Sequence, residues 1–98
     1  MSKYVTKTIN ASGQWTGWIS TNQSGGLALS IRGDFSSTIV TVQAQNPDGS
    51  EEDLDTFQEP IRIGIEDASD NFSVYPRYRA GVKSGDYSDG PIDVGLYQ

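Results

Sequence analysis

Apolar and polar residues alternate along most of this chain with a period of two. Leu27, Leu29 and Ile31 alternate with Ala28, Ser30 and Arg32. Val40, Val42 and Ala44 alternate with Ile39, Thr41, Gln43 and Gln45, and Ile61, Ile63 and Ile65 with Arg62, Gly64 and Glu66. Tyr78, Ala80 and Val82 alternate with Arg79, Gly81 and Lys83, and Ile92, Val94 and Leu96 with Asp93, Gly95 and Tyr97. Such a period marks strands with one buried face. No segment carries the i, i+3, i+4, i+7 apolar stripe of a helix. Residues 4–10 and 15–20 are weaker extended pieces. Residues 54–58 read as a short irregular strand, because Leu54 and Phe57 differ in parity and need a bulge to share a face.

Turn chemistry separates these runs. Residues 21–26 and 67–71 are loops rich in Ser, Gly, Asn and Asp. Asn46-Pro47-Asp48-Gly49 is a strong turn, with Pro presetting φ and Gly supplying a positive one. Gly85 and its Asp and Ser neighbours separate residues 74–83 from 91–97, which read as a C-terminal β-hairpin. The expected fold is all-β: a single antiparallel sandwich of the immunoglobulin-like kind, with about seven to eight short strands in one domain over residues 1–98.

Composition narrows the chemistry. The chain has no cysteine and no histidine, so disulfides, Cys/His zinc sites and Ser-His-Asp or Cys-His catalysis are impossible within it. No apolar h-region follows Met1 and no run is long enough for a spanning helix, so neither a signal peptide nor a membrane anchor is expected. A formal net charge of −6 opposes binding to nucleic acid or anionic lipid. The acids crowd the middle of the chain: Asp48, Glu51, Glu52, Asp53, Asp55, Glu59, Glu66, Asp67 and Asp70 surround a single base, Arg62. Residues 48–55 invite a calcium reading, but the spacing does not match an EF-hand loop, which needs Gly at its sixth position and Glu at its twelfth. Solubilising turns explain these acids, and no metal or cofactor is expected. Nothing matches a phosphate-cradling loop, and a domain of this size leaves little room for a substrate cleft between carboxylates. No catalytic residue is assigned and an enzyme is not expected.

Two groups of side chains stand out as binding candidates. If residues 15–20 form a regular strand, Trp15 and Ile19 share one face and Trp18 takes the other, as a sugar platform or a subunit anchor. Tyr75, Arg77, Arg79 and Lys83 fall opposite the buried Tyr78, Ala80 and Val82. They form a positive stripe on an acidic protein, suited to an acidic neighbouring surface. The plainer alternative is a solvated sheet face whose cross-strand partners include Asp93 or Glu66.

Tyr78-x-Ala80-x-Val82 resembles the pattern on the penultimate strand of immunoglobulin-type sandwiches, with Ala80 where a disulfide cysteine would stand. A wider resemblance runs from Leu27-Ala-Leu-Ser-Ile-Arg-Gly-Asp-Phe-Ser through Thr38-Ile-Val-Thr-Val-Gln, Pro47-Asp-Gly-Ser and Leu54-Asp-Thr-Phe. It ends in Tyr78-Arg-Ala-Gly-Val-Lys-Ser-Gly-Asp-Tyr-Ser-Asp-Gly. These segments are similar to a group of small β-sandwich proteins encoded among the virion genes of tailed bacteriophages. There a strand "val-thr-leu-gln-arg-ser" leads to a turn "asp-gly-gly" and a Trp, and the closing segment reads "tyr-arg-x-gly-val-lys-x-gly-x-tyr-x-x-gly". Here Gln45-Asn46-Pro47 replaces the basic pair and no Trp follows Gly49. The resemblance implies a virion structural role, with head decoration or cement as the expectation. The partner would be the major capsid protein or another virion protein, met in many copies or as a homo-oligomer, in particles assembled in the host cytoplasm. A neck or tail accessory protein, and a carbohydrate- or receptor-binding module, are the alternatives.

Overall fold

A computed structural model describes residues 4–20, 27–65 and 77–98. They contain seven strands: β1 (Tyr4–Ile9), β2 (Leu27–Gly33), β3 (Val40–Gln45), β4 (Glu51–Phe57), β5 (Ile61–Ile65), β6 (Arg77–Gly81) and β7 (Ile92–Tyr97). They form two antiparallel sheets, in the orders β1-β7-β2-β5 and β4-β3-β6, and no helix occurs among the described residues. The alternating residues dictate this layering. Leu27, Leu29 and Ile31 on β2, and Ile92, Val94 and Leu96 on β7, face Val40, Val42 and Ala44 on β3 and Tyr78 and Ala80 on β6. All are buried, and Ile9, Ile19, Phe35 and Val82 extend the same core. Burying a Leu, Ile or Val side chain contributes about 1.5–3 kcal/mol each, so these inward rows hold the two layers together.

The strand order differs from the hairpin expected at the C-terminus. β6 pairs with β3, and β7 pairs with β1 and β2, so the two lie in opposite sheets. In an immunoglobulin-type sandwich the last two strands share a sheet. Here residues 82–91 cross between layers instead. Residues 14–19 add an irregular eighth element along the free edge of β6, through bridges Trp15↔Gly81 and Ile19↔Tyr78. With it, the second sheet reads residues 14–19, β6, β3, β4, and the sandwich has the double Greek-key order of a jelly roll.

A polar clasp fixes the crossing. The Asp89 carboxylate accepts backbone N–H bonds from Ser36 (2.9 Å), Ser37 (3.2 Å) and Thr38 (3.0 Å). The fully buried Thr38 hydroxyl donates to the Asp89 carbonyl at 2.7 Å and accepts from the Ser88 and Asp89 N–H groups at 2.8 Å each. The segment entering β3 is thereby tied to the segment entering β7, one in each sheet.

Other local expectations hold. Gly49 adopts φ +94° in the turn after β3, and its N–H bonds to the Asn46 carbonyl at 2.9 Å. On β4 the register skips Leu54, since Val42 faces Asp55 and Gln43 faces Asp53. That bulge lets both Leu54 and Phe57 pack on the core. Ile63 departs from its expected burial. It is 43% exposed, beside Leu54 and Phe57 in a groove between the β4 and β5 edges.

Candidate functional site

The outer face of the second sheet is built on β6, where Arg77, Arg79 and Gly81 point away from the core. Residues 14–19 spread five positions across four of β6, because Trp15 bridges Gly81 and Ile19 bridges Tyr78. This irregularity overturns the regular-strand expectation. Ile19 enters the core, while Trp15 and Trp18 both stack on β6 arginines. The Arg79 guanidinium carbon lies 4.2 Å from the Trp15 ring centroid and 4.6 Å from that of Trp18, and that of Arg77 lies 5.4 Å from Trp18. A ladder results, in the order Arg77, Trp18, Arg79, Trp15. Gly81 completes it: a Cβ there would meet the Gln14 carbonyl oxygen, and would lie 2.7 Å from Trp15 Cα and 2.8 Å from Trp15 Cε3. Thr16, buried beneath, accepts the Ala80 N–H on its hydroxyl at 3.1 Å.

β3 supplies the next row. Arg77 Nε donates to Gln45 Oε1 at 2.8 Å, and Arg79 Nε to Gln43 Oε1 at 3.0 Å. Gln43 Nε2 in turn donates to Asp53 Oδ1 at 2.8 Å on β4. Lys83 Nζ reaches Asp53 Oδ2 at 2.7 Å, and Arg79 Nη2 lies 3.7 Å from Glu51. The Lys83 hydrogen bond, then that of Gln43, holds the Asp53 carboxyl below its ordinary value, while Asp53 raises Lys83. Burial draws the Arg79 guanidinium down and Glu51 opposes it.

The positive stripe is therefore largely answered within its own face. Its partners are Gln43, Gln45, Glu51 and Asp53, not the Asp93 expected. Asp93 lies on the other sheet, accepting from the Thr8 hydroxyl at 2.8 Å. Trp18, Arg77, Arg79 and Lys83 are brought to one face. Tyr75, the proposed partner Glu66 and the 67–71 loop lie outside the described residues. Trp15, expected on the Ile19 face, and Glu51 and Asp53, expected as solubilising turn acids, belong to the same surface, as do Gln43 and Gln45, which were not marked as site residues from sequence. The two glutamines were detectable, since they share the outward parity of β3. The Trp15–Trp18 pairing was not, because it depends on a bulge that no residue type announces.

The acids of 48–55 turn to local partners. Asp48 accepts the Ser50 N–H at 3.0 Å and its hydroxyl at 2.7 Å. Among the described residues no three acidic side chains converge as a cation would need.

No protein-family model matches the chain, nor does any curated protein or solved structure.

Proposed function

We propose that this chain is a non-enzymatic structural domain of a tailed-bacteriophage particle, decorating or cementing the capsid shell through the outer face of β6 and residues 14–19. The reading rests on the resemblance of residues 27–57 and 78–90 to small virion sandwiches. The observation that carries it is the half-buried Arg77–Trp18–Arg79–Trp15 ladder. Trp and Arg are the residue types that anchor protein interfaces. These are already fixed by stacking and by hydrogen bonds to Gln43 and Gln45, so docking costs little further side-chain entropy. Glu51, Asp53 and Lys83 form a polar rim around them. Many copies on a symmetric shell make modest individual affinity sufficient. The same guanidinium groups lie over the Trp18 ring, which weighs against that ring as a sugar platform.

Co-sedimentation with assembled shells tests the reading. Wild-type protein pellets with shells, and Trp18→Ala weakens attachment about thirtyfold or more, as loss of an interface anchor does. Protein that stays in the supernatant with shells of every candidate host particle sinks it. Attachment at the neck or tail, seen by imaging labelled particles, would relocate it.

A further inference from the structure

The outer face of the first sheet has a different construction. Three cross-strand rows cover it: Tyr4, Tyr97, Ala28 and Gly64; then Thr6, Gly95, Ser30 and Arg62; then Thr8, Asp93 and Arg32. The middle row begins with short residues, so the sheet surface dips between its taller neighbours. The dip is a trough of about 270 Å³ over β1, β7 and β2. It adjoins a second depression of about 470 Å³ over β2 and β5, and Ser30, Arg32 and Tyr97 line both. Together they cross four strands, about 14 Å at the usual interstrand spacing. Tyr97 leans over Gly95, where a Cβ would lie 2.6 Å from its hydroxyl, and stacks on Tyr4 at 6.0 Å between centroids. Both rings are exposed, at 40% and 64%.

Charge distinguishes this trough most sharply. Arg32 and Arg62 have no hydrogen-bonded or ion-paired side-chain partner among the described residues, and Asp93 is engaged by Thr8. Arg79 and Lys83 are ion-paired on the opposite face, and Arg77 is hydrogen-bonded to Gln45. In a protein of net charge −6, the unanswered guanidinium groups are thus collected on one surface.

We propose that this trough binds an acidic oligosaccharide laid across the strands. Arg32 and Arg62 supply charge-assisted bonds to carboxylates. Thr6, Ser30 and the Tyr97 hydroxyl meet sugar hydroxyls, and the Tyr97 ring packs against the C–H face of a sugar. A peptide added as a strand needs a sheet edge, whereas β7 and β2 are internal strands and the trough runs across them. A polyphosphate needs a denser basic surface than two arginines on an acidic domain.

The probe is trigalacturonate, titrated into the isotope-labelled full chain with amide shifts followed, beside maltotriose and triglutamate. Trigalacturonate should move residues 28–32, 62–64 and 93–97 while leaving 43–53 and 77–83 in place. Arg32→Gln and Arg62→Gln should each weaken it about tenfold or more, as loss of a charge-assisted bond does. Ser30→Gln, which fills the trough without removing charge, should do the same. Preserved amide dispersion establishes that each variant is folded. Maltotriose should bind at least tenfold more weakly. Absence of shifts on this face overturns the proposal, as does equal binding of triglutamate, which would make the face a general acceptor of acidic partners. Because shell attachment uses the opposite face, either result leaves the decoration reading standing or falling separately.

Discussion

The two outer faces of this sandwich obey the same period of two and reach opposite outcomes. On the β6 face, long side chains stand beside long side chains. Trp, Arg and Gln fill one another's hydrogen-bonding and stacking capacity, and the surface is a packed layer. On the β1-β7-β2-β5 face, Thr6, Gly95 and Ser30 are too short to reach across rows, and Arg32 and Arg62 remain without a carboxylate partner among the described residues. Counting charges along one strand does not distinguish these cases. What decides is whether the residue opposite each charge can reach it and is free to do so: Ser30 is too short for Arg62, and Asp93, opposite Arg32, is engaged by Thr8.

The largest disturbance to the packed face should come from Gly81→Ala. The added methyl meets backbone at Gln14 and Trp15 as well as the Trp15 ring, so no flexible atom yields first. Overpacking of this kind costs about 3 kcal/mol, which lowers Tm by 12 °C or more in a domain of about 100 residues. Thermal unfolding followed by Trp fluorescence reads it. A drop below about 4 °C would mean that residues 14–19 are held only loosely to β6. Gly95→Ala, the matching change on the other face, first meets the far end of the Tyr97 side chain and should cost less, because that ring can swing aside.

Next in size is Thr38→Val, which acts on what the two faces share. Removing the hydroxyl leaves the Ser88 and Asp89 N–H groups without their acceptor, at about 1 kcal/mol for each lost hydrogen bond, since neither residue is fully buried. Chemical denaturation should show the loss with an unchanged slope. The same clasp has a pH signature. The Ser36 N–H foremost, then those of Thr38 and Ser37 and the Thr38 hydroxyl, hold the Asp89 carboxyl below the ordinary 3.8. A depressed carboxylate contributes stability that is fully present above the unfolded value and is lost as pH falls through the folded one. The Tm gap between wild type and Asp89→Asn should therefore be constant above about pH 5 and close progressively below about pH 4. A gap that ignores acid would assign the clasp to neutral hydrogen bonding alone.

Thr41 offers a change of opposite sign. Its hydroxyl is buried with no hydrogen-bond partner among the described residues, on the cross-strand neighbour of Gly81. Thr41→Val removes a desolvated polar group at nearly constant shape, so stability should rise by about 1 kcal/mol in the same denaturation experiment. A fall instead would show that the hydroxyl is satisfied by water in solution.

The inward face of the fold was legible because burial forces it. Leu27, Leu29, Ile31, Tyr78, Ala80, Val82, Ile92, Val94 and Leu96 are all core residues, and the bulge reconciling Leu54 with Phe57 followed from parity alone. Strand partnership was not legible. A Gly/Asp/Ser segment between two alternating runs has the same composition whether it closes a hairpin or crosses between sheets. Here the choice accompanies Asp89 and Thr38, fifty-one positions apart, and no local pattern reports that pairing. The candidate site was half legible for the same reason. Arg77, Arg79 and Lys83 were visible on one face of one strand, whereas their partners come from β3, β4 and residues 14–19.

The smallest expected effects complete the comparison through one pair of substitutions. Arg79→Gln withdraws a guanidinium that stacks on two indoles, bonds Gln43 and lies near Glu51. Cation–π contacts at partly exposed sites contribute about 0.5–1 kcal/mol, and the flanking ion pair adds little, so the variant should lose about 1 kcal/mol. Arg32→Gln withdraws a guanidinium with no such partners among the described residues, and its stability should stay within about 0.5 kcal/mol of wild type. Side-by-side urea titrations measure both. If the two variants lose equal stability, the packed and open faces do not differ energetically, and the division of labour drawn between them fails. If only Arg79→Gln is destabilised, the charge at Arg32 makes no measurable contribution to folding, and the open face holds a guanidinium that the fold itself does not use.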